Sequence, residues 1–206
     1  MSKAPYIRTA VRITSESVKI NQKEIIITRN EDWLTNIYRH LGVQYPKFFK
    51  MDNLCKAGFL ASEFAVRASG LQVEEDGHPD WSVIAFNNCS SLDNDKSYQK
   101  TIKDADNYFP SPSVFVYTLS NIVTGEIAIR HKLKGESCSY ILPKFDADEI
   151  YQVGLTSLLP EKQINNLLIG WVNYLDGVCD TLLFHVSMED EIGVDLWTKE
   201  SIEKYY

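Results

Sequence analysis

The chain holds 206 residues, 44% of them hydrophobic and 24% charged, with Gly 10 and Pro 7. That length suggests one domain able to bury its own core, and the balance excludes collagen-like and wholly disordered chains. Lys and Arg number 21 against 28 Asp and Glu, a net charge of -7, which argues against a nucleic-acid binder.

In chain order, residues 6–13 alternate and are rich in β-formers, and 24–28 form a second short strand. Residues 31–41 have helical spacing through Trp33, Ile37 and Leu41, with Gly42 as a stop. The clearest helix is 51–68, where Met51, Leu54, Cys55, Gly58, Ala61, Ala65 and Ala68 recur at steps of three and four. Its glycine and alanines give a slim face suited to close packing on a sheet. Residues 70–79 are acidic and polar, a surface loop. Residues 81–86 are a continuous apolar run that suits a strand buried on both faces. A polar surface helix follows over 93–106.

Ser111 and Pro112 read as an N-cap and a first-position proline. They open a long helix, 113–131, apolar nearly all round and so predicted to be buried. Residues 136–142 alternate into a strand. Asp146 and Glu149 make a capping-box-like start to a helix reaching about residue 159. Pro160 opens another predicted helix over 161–175. Residues 181–186 are a buried strand, and the tail reads as a strand at 193–197 and a short helix at 199–206. Strands alternating with helices predict an α/β layered sheet in a single domain spanning 1–206.

The N-terminus lacks the apolar run of a signal peptide. The longest uncharged stretch, 107–125, carries Pro110 and Pro112 and is a poor spanning helix, so no membrane span and a cytoplasmic location are expected. Cys55, Cys89, Cys138 and Cys179 have no CxxC spacing and read as reduced, buried thiols. His40, His78, His131 and His185 are scattered, so neither a metal nor a cofactor is expected.

The run from Pro112 through Asn121, Gly125 and Gly135 to Ser139 resembles a β-ketoacyl synthase, a thiolase-like family. In that family a buried helix carries an Asn followed four residues on by Gly. A Gly-Pro-Ser strand then leads to the nucleophile; here the counterpart is Gly135-Glu136-Ser137. Lys50-Met51 with the helix to Ala68, the run WSVIAFNN and the strand near Asp180 are similar to further family segments in the same order. The resemblance covers about residues 6–189. It implies the N-terminal half of a thiolase-like fold, a five-stranded mixed sheet with helices on both faces. Asn121 and Gly125 share a helix face, where Gly admits close backbone approach and Asn ties off polar groups.

A condensing enzyme of this family places a cysteine at a helix N-terminus, where the dipole lowers the thiol pKa and backbone amides face the oxyanion. Counting nine residues from Gly135 reaches Lys144; a turn two residues longer reaches Asp146. Neither is a cysteine, and Cys138 comes six residues too early. Cys89-Ser90-Ser91 looks like a family Cys-Ser-Ser but precedes the Asn-Gly helix, so it stays as a loop with a possible binding role at a strand's carboxyl end. His131 and His185 do not stand where the family's second half supplies its catalytic pair.

The resemblance therefore implies a non-catalytic partner resembling a chain length factor, in fatty-acid or polyketide-type biosynthesis. Its partner strand would be Ser137, Cys138, Ser139 and Tyr140. A homodimer or a heterodimer with a full-length ketosynthase is expected, because a single half would leave apolar surface uncovered. An acyl carrier protein is a further partner, for which Lys47, Lys50 and Lys56, or Arg130, Lys132 and Lys134, could supply a basic patch. Two alternatives stand beside this: an acyl-thioester transferase using Cys89, and an acyl-chain binding module lined by helix 114–129.

Overall fold

A computed structural model describes residues 4–30, 32–70, 75–106, 108–189 and 194–206. Its sheet is built on three long strands. In β1 (Tyr6–Thr14), buried residues alternate with half-buried ones except at Thr9-Ala10-Val11, where three in a row are buried. The strands β6 (Asn166–Leu175) and β7 (Val178–Ser187) form a hairpin. Its turn is Asp176-Gly177, with φ of 48° and 86°, left-handed backbone that an Asp-Gly pair adopts at low cost.

The full order is β3 (Lys23–Ile25), β2 (Val18–Ile20), β1, β7, β6, β4 (Trp81–Asn87) and β5 (Ser137–Ile141). A short β8 (Asp195–Leu196) pairs with β1. β4 runs parallel to both β5 and β6, whereas β7 is antiparallel to β6 and β1. The sheet thus has eight strands, not five. The five longest form the expected mixed sheet, and the other three are two or three residues each.

The predicted helix over 161–175 is corrected to a short 3-10 turn (Pro160–Lys162) followed by β6. Residues 166–175 are ten in a row without a charge and close on Asp-Gly, so hairpin pairing with β7 outweighs helical spacing there. The predicted strand over 24–28 shrinks to β3, paired with β2.

Helices cover both faces. On the first lie α1 (Trp33–Leu41), α2 (Asn53–Ser69) and α5 (Ile122–His131), over Val11, Ile13, Val83, Leu168 and Leu183. Asp52 caps α2 by accepting from the Cys55 amide at 2.9 Å, and Gly70 ends it at φ 73°. A Cβ on Gly58 would stand 2.6 Å from Val123 Cγ2 and 3.2 Å from Val172 Cγ1, so the slim face of α2 does pack closely.

On the second face lie α6 (Ala147–Ser157) and α7 (Lys199–Tyr205), over Ile84, Phe86, Trp171 and Phe184. Trp197, Ile202 and Tyr205 are buried there, so the chain covers this face with its own tail rather than leaving it bare. α3 (Leu92–Ile102) is the polar surface helix.

The long buried helix over 113–131 is broken. It becomes α4 (Pro112–Phe115), a 3-10 turn (Val116–Thr118), an extended Leu119 and then α5. The reason lies in α3 and its N-cap. Asn94 Nδ2 donates to the Val114 carbonyl at 2.7 Å, and Ser91 Oγ donates to the Thr118 carbonyl at 2.8 Å. A continuous helix would spend both carbonyls on its own amides. The segment is also only partly buried: Phe115 is 53% exposed and Ile129 65%, whereas Tyr117, Val123 and Ile127 are in the core.

Residues 71–74 of the predicted acidic loop and 190–193 before the tail lie outside the described residues. Among the described residues, no helix is long and apolar enough to cross a membrane.

Candidate functional site

The carboxyl ends of β4, β5 and β6 lie side by side, because the three strands run the same way. The chain leaves β5 through Leu142, whose amide donates to the Asn87 carbonyl at 2.9 Å. Pro143 follows, and Lys144 projects into solvent. The Phe145 ring lies flat on Tyr206, with centroids 3.7 Å apart, and edge-on to Trp171. Asp146 then caps α6, its Oδ1 accepting from the Asp148 and Glu149 amides at 3.0 and 3.2 Å.

The two positions reached by counting from Gly135 therefore hold an exposed amine and a helix cap. The Asp146 carboxylate satisfies two of the amides that a nucleophile at a helix start would turn toward a developing oxyanion. An open cleft of about 350 Å³ adjoins them, lined by Lys144, Asp146, Lys199, Glu203 and Tyr206.

Behind Phe145 sits a polar hub. Asp180 meets Arg12 Nη2 at 2.6 Å, accepts from Trp171 Nε1 at 3.0 Å and from the Tyr206 hydroxyl at 2.8 Å. The Arg12 guanidinium also lies 4.7 Å over the Tyr206 ring. Burial, then the hydrogen bond to Asp180, pushes the Tyr206 hydroxyl up to about 12, so it stays a donor. This hub joins β1, β6, β7 and the residue after α7. Arg12 shares its strand with a second arginine, Arg8, so nothing in the sequence singled it out as the partner of Asp180.

Cys89 lies in the loop after β4. Its thiol donates to Asn173 Oδ1 at 3.2 Å. Partial burial, then the Asp93 charge, raises its pKa, the reverse of what an activated nucleophile needs. Ser90 takes φ 52° and donates its amide to Asn87 Oδ1 at 2.8 Å, which fixes the loop.

Asn121 and Gly125 are not joined to this loop by any hydrogen bond. Asn121 is exposed at the start of α5, with no side-chain capping bond, and a Cβ on Gly125 would meet nothing within 4 Å. The close approach expected at Gly125 is made within the chain at Gly58 instead.

Among the described residues, Ser137, Cys138, Ser139 and Tyr140 form an outer edge of the sheet, since β5 has β4 on one side and no strand on the other. Tyr140 stacks on Phe86 at 5.0 Å and is 38% exposed; Ile141 is 50% exposed.

His131 and His185 are core residues. His131 Nε2 lies 3.0 Å from Ser62 Oγ, which itself donates to the Phe59 carbonyl, so the histidine supplies the proton between them. His185 Nε2 lies 3.0 Å from Asn166 Oδ1, and its ring stacks on Trp81 at 4.6 Å. Burial lowers both to about 3, so both are neutral at pH 7. The candidate basic patches are partly spent: Lys47 pairs with buried Glu126 at 2.8 Å, and Arg130 with buried Glu63 at 2.5 Å. Among the described residues no group of three His, Cys, Asp or Glu is placed to hold a metal ion.

The order of the five long strands, with antiparallel β7 set between β1 and β6 in an otherwise parallel set and helices on both faces, defines a thiolase-like fold of the ketosynthase type. Solved structures agree with that assignment. The chain superposes on the ishigamide ketosynthase/chain length factor with a TM-score of 0.65 at 15% identity, over 89% of this chain and 62% of that one. It superposes with a TM-score of 0.60 at 11% identity on a type II PKS acyl-carrier protein in complex with its ketosynthase, over 91% and 63%. A ketosynthase in complex with its chain length factor from Xenorhabdus doucetiae matches with a TM-score of 0.50 at 11% identity, over 78% and 75%. The match thus spans about three fifths of the first two solved chains. No protein-family model and no curated protein matches the sequence.

Proposed function

We propose that this chain is a non-catalytic ketosynthase-fold subunit, resembling a chain length factor, that pairs with a catalytically complete ketosynthase in fatty-acid or polyketide-type synthesis in the cytoplasm. The observation that carries this reading is the start of α6. Lys144 is exposed, Asp146 closes the helix amides on itself, and no cysteine stands at either position. The free edge of β5 supports the pairing: five residues without charge, with unpaired backbone groups on the outer side. An acyl carrier protein would then meet the assembled pair, as in the solved complex of that kind.

The alternative use of Cys89 as a nucleophile is opposed by its raised pKa and its bond to Asn173. An acyl pocket along 114–129 is opposed by the packing of Val123 and Ile127 into the notch at Gly58.

Two measurements test the reading. The purified chain is incubated with acyl-thioesters and weighed intact; no covalent adduct is expected, and one lost in Cys89→Ala would overturn the non-catalytic assignment. The chain is also co-expressed with catalytically complete ketosynthases, any encoded beside it among them. A stoichiometric complex is expected, and a folded chain that ignores all of them sinks the reading.

A further inference from the structure

Three basic side chains, Arg12, Lys19 and Lys204, line one small cavity on the second face of the sheet. It holds about 280 Å³ between the β1–β2 pair and α7, and no side chain in its lining is acidic. The chain as a whole carries 28 acids against 21 bases, so a wall of cations without a carboxylate runs against its composition.

Arg12 and Lys19 stand directly opposite each other across β1 and β2, so their side chains share a face. Like charges in that register cost stability. Nothing inside the cavity relieves them. Asp180 pairs with Arg12, and Asp195 meets Lys204 Nζ at 2.8 Å, but both carboxylates lie outside the lining. Among the described residues Lys19 has no ion-pair partner. The two acids therefore fix cations in place without filling the space between them. Arg12 is fixed further: its Nη1 donates to the Thr181 carbonyl at 3.1 Å and its Nε to the Tyr206 main-chain oxygen at 3.3 Å. A guanidinium has five N–H donors, and with one more spent on Asp180, two are left for a ligand. The Thr14 and Ser17 hydroxyls, 3.2 Å apart, add polar groups to the lining. Gln22 Nε2 donates to the Lys204 carbonyl at 3.1 Å, which joins the turn after β2 to the end of α7 and ties two walls together. Ala10 and Leu182 complete the lining with apolar surface.

We propose that this cavity binds a small phosphate-class dianion, inorganic phosphate or a phosphate monoester. A dianion set between Arg12 and Lys19 turns their repulsion into two attractions, and the planar guanidinium can offer it paired N–H groups. Lys204 supplies the third charge from the α7 side. The apolar surface at Ala10 and Leu182 gives the short organic part of an ester a place to lie. A nucleic acid suits the site poorly, because the net charge of -7 repels a polyanion and the Gln22–Lys204 bridge ties two of the walls together. The site is independent of any pairing through β5, since β1 and β2 lie toward the other end of the sheet.

The test follows the phosphorus NMR signals of inorganic phosphate and of glycerol phosphate as the whole chain is added, with sodium chloride holding ionic strength constant so that general screening is matched. Binding should broaden the signal, and phosphate at about ten times its Kd should raise the melting midpoint by about 3–5 °C. Broadening of glycerol phosphate alone assigns the ester as the ligand; broadening of both shows that the bare phosphate group is enough. Lys19→Ala should weaken binding at least fivefold. Lys19→Glu, which places a carboxylate opposite Arg12, should abolish binding and raise the melting midpoint in phosphate-free buffer. Lys23→Ala, outside the lining, should bind as the native chain does. If neither compound is broadened by the native chain, or if both Lys19 variants bind within twofold of it, the site is overturned.

Discussion

The two outer edges of the sheet are built to opposite rules. β3 is three residues long and shows Lys23 and Glu24 to solvent, with Ile25 half-buried. Charge and brevity are how natural sheets keep strangers off an open edge. β5 is longer, reads Ser-Cys-Ser-Tyr-Ile, and carries no charge. α5 beside it turns Ile129 to solvent. An unguarded edge beside a guarded one in the same sheet teaches that the difference is local to β5, not a general tolerance of this fold.

Adding charge to β5 should have the largest effect. Tyr140→Lys with Ile141→Lys should weaken association with the partner ketosynthase about 100-fold, roughly 2.7 kcal/mol, in a titration followed by calorimetry. The free chain should melt within a few degrees of the native one, since both side chains are already partly in water. The mirror experiment removes the guard from β3. Lys23→Val with Glu24→Val should create concentration-dependent self-association, seen by sedimentation; a strictly monomeric double variant would break the contrast.

Residues between the edges should respond to pH instead of to partners. His131 and His185 are held near 3 by burial, against about 6.5 when unfolded. Below pH 6.5 the unfolded chain binds protons that the native chain refuses, so stability is full above 6.5 and falls with pH toward 3. Each histidine should contribute a slope of about 1.4 kcal/mol per pH unit inside that window. Urea melts from pH 7 to 4 measure it, and His185→Gln should flatten the curve by about half.

The smallest effect belongs to the cap beside β5. Asp146→Ala should cost about 1 kcal/mol of stability, read from the melting midpoint, and Asp146→Asn only part of that. Neither should create acyl transfer. Acylation of any residue in Asp146→Cys but not in the native chain would show that the surrounding site is intact.

Much of this was legible along the chain. The helix 51–68, the buried strand 81–86 and the cap at Asp146 follow from periodicity and capping chemistry, which are local. The strand β6 was hidden because residues 166–175 fit both helical and strand spacing; Asp176-Gly177 was the missed signal, a tight hairpin turn. The break in 113–131 could not be read locally, since its causes are Asn94 and Ser91, about 20 and 27 residues away in sequence. The lack of a cysteine after β5 was visible by counting from Gly135. The Asp180 hub was not, because it gathers Arg12, Trp171 and Tyr206 from three distant stretches.

The placement of β1 has a consequence for how the polypeptide is made. β1 leaves the ribosome well before its long partner β7, and Arg12 waits for Asp180. During vectorial synthesis, β1 must persist without its pairing strand until more than 160 further residues have emerged, and the apolar face of α2 until more than 100 have. Contacts so distant in sequence slow folding and prolong the exposure of unpaired strand. The nascent chain is thus at its most adhesive just before β7 emerges, when a waiting chaperone has the most to shield.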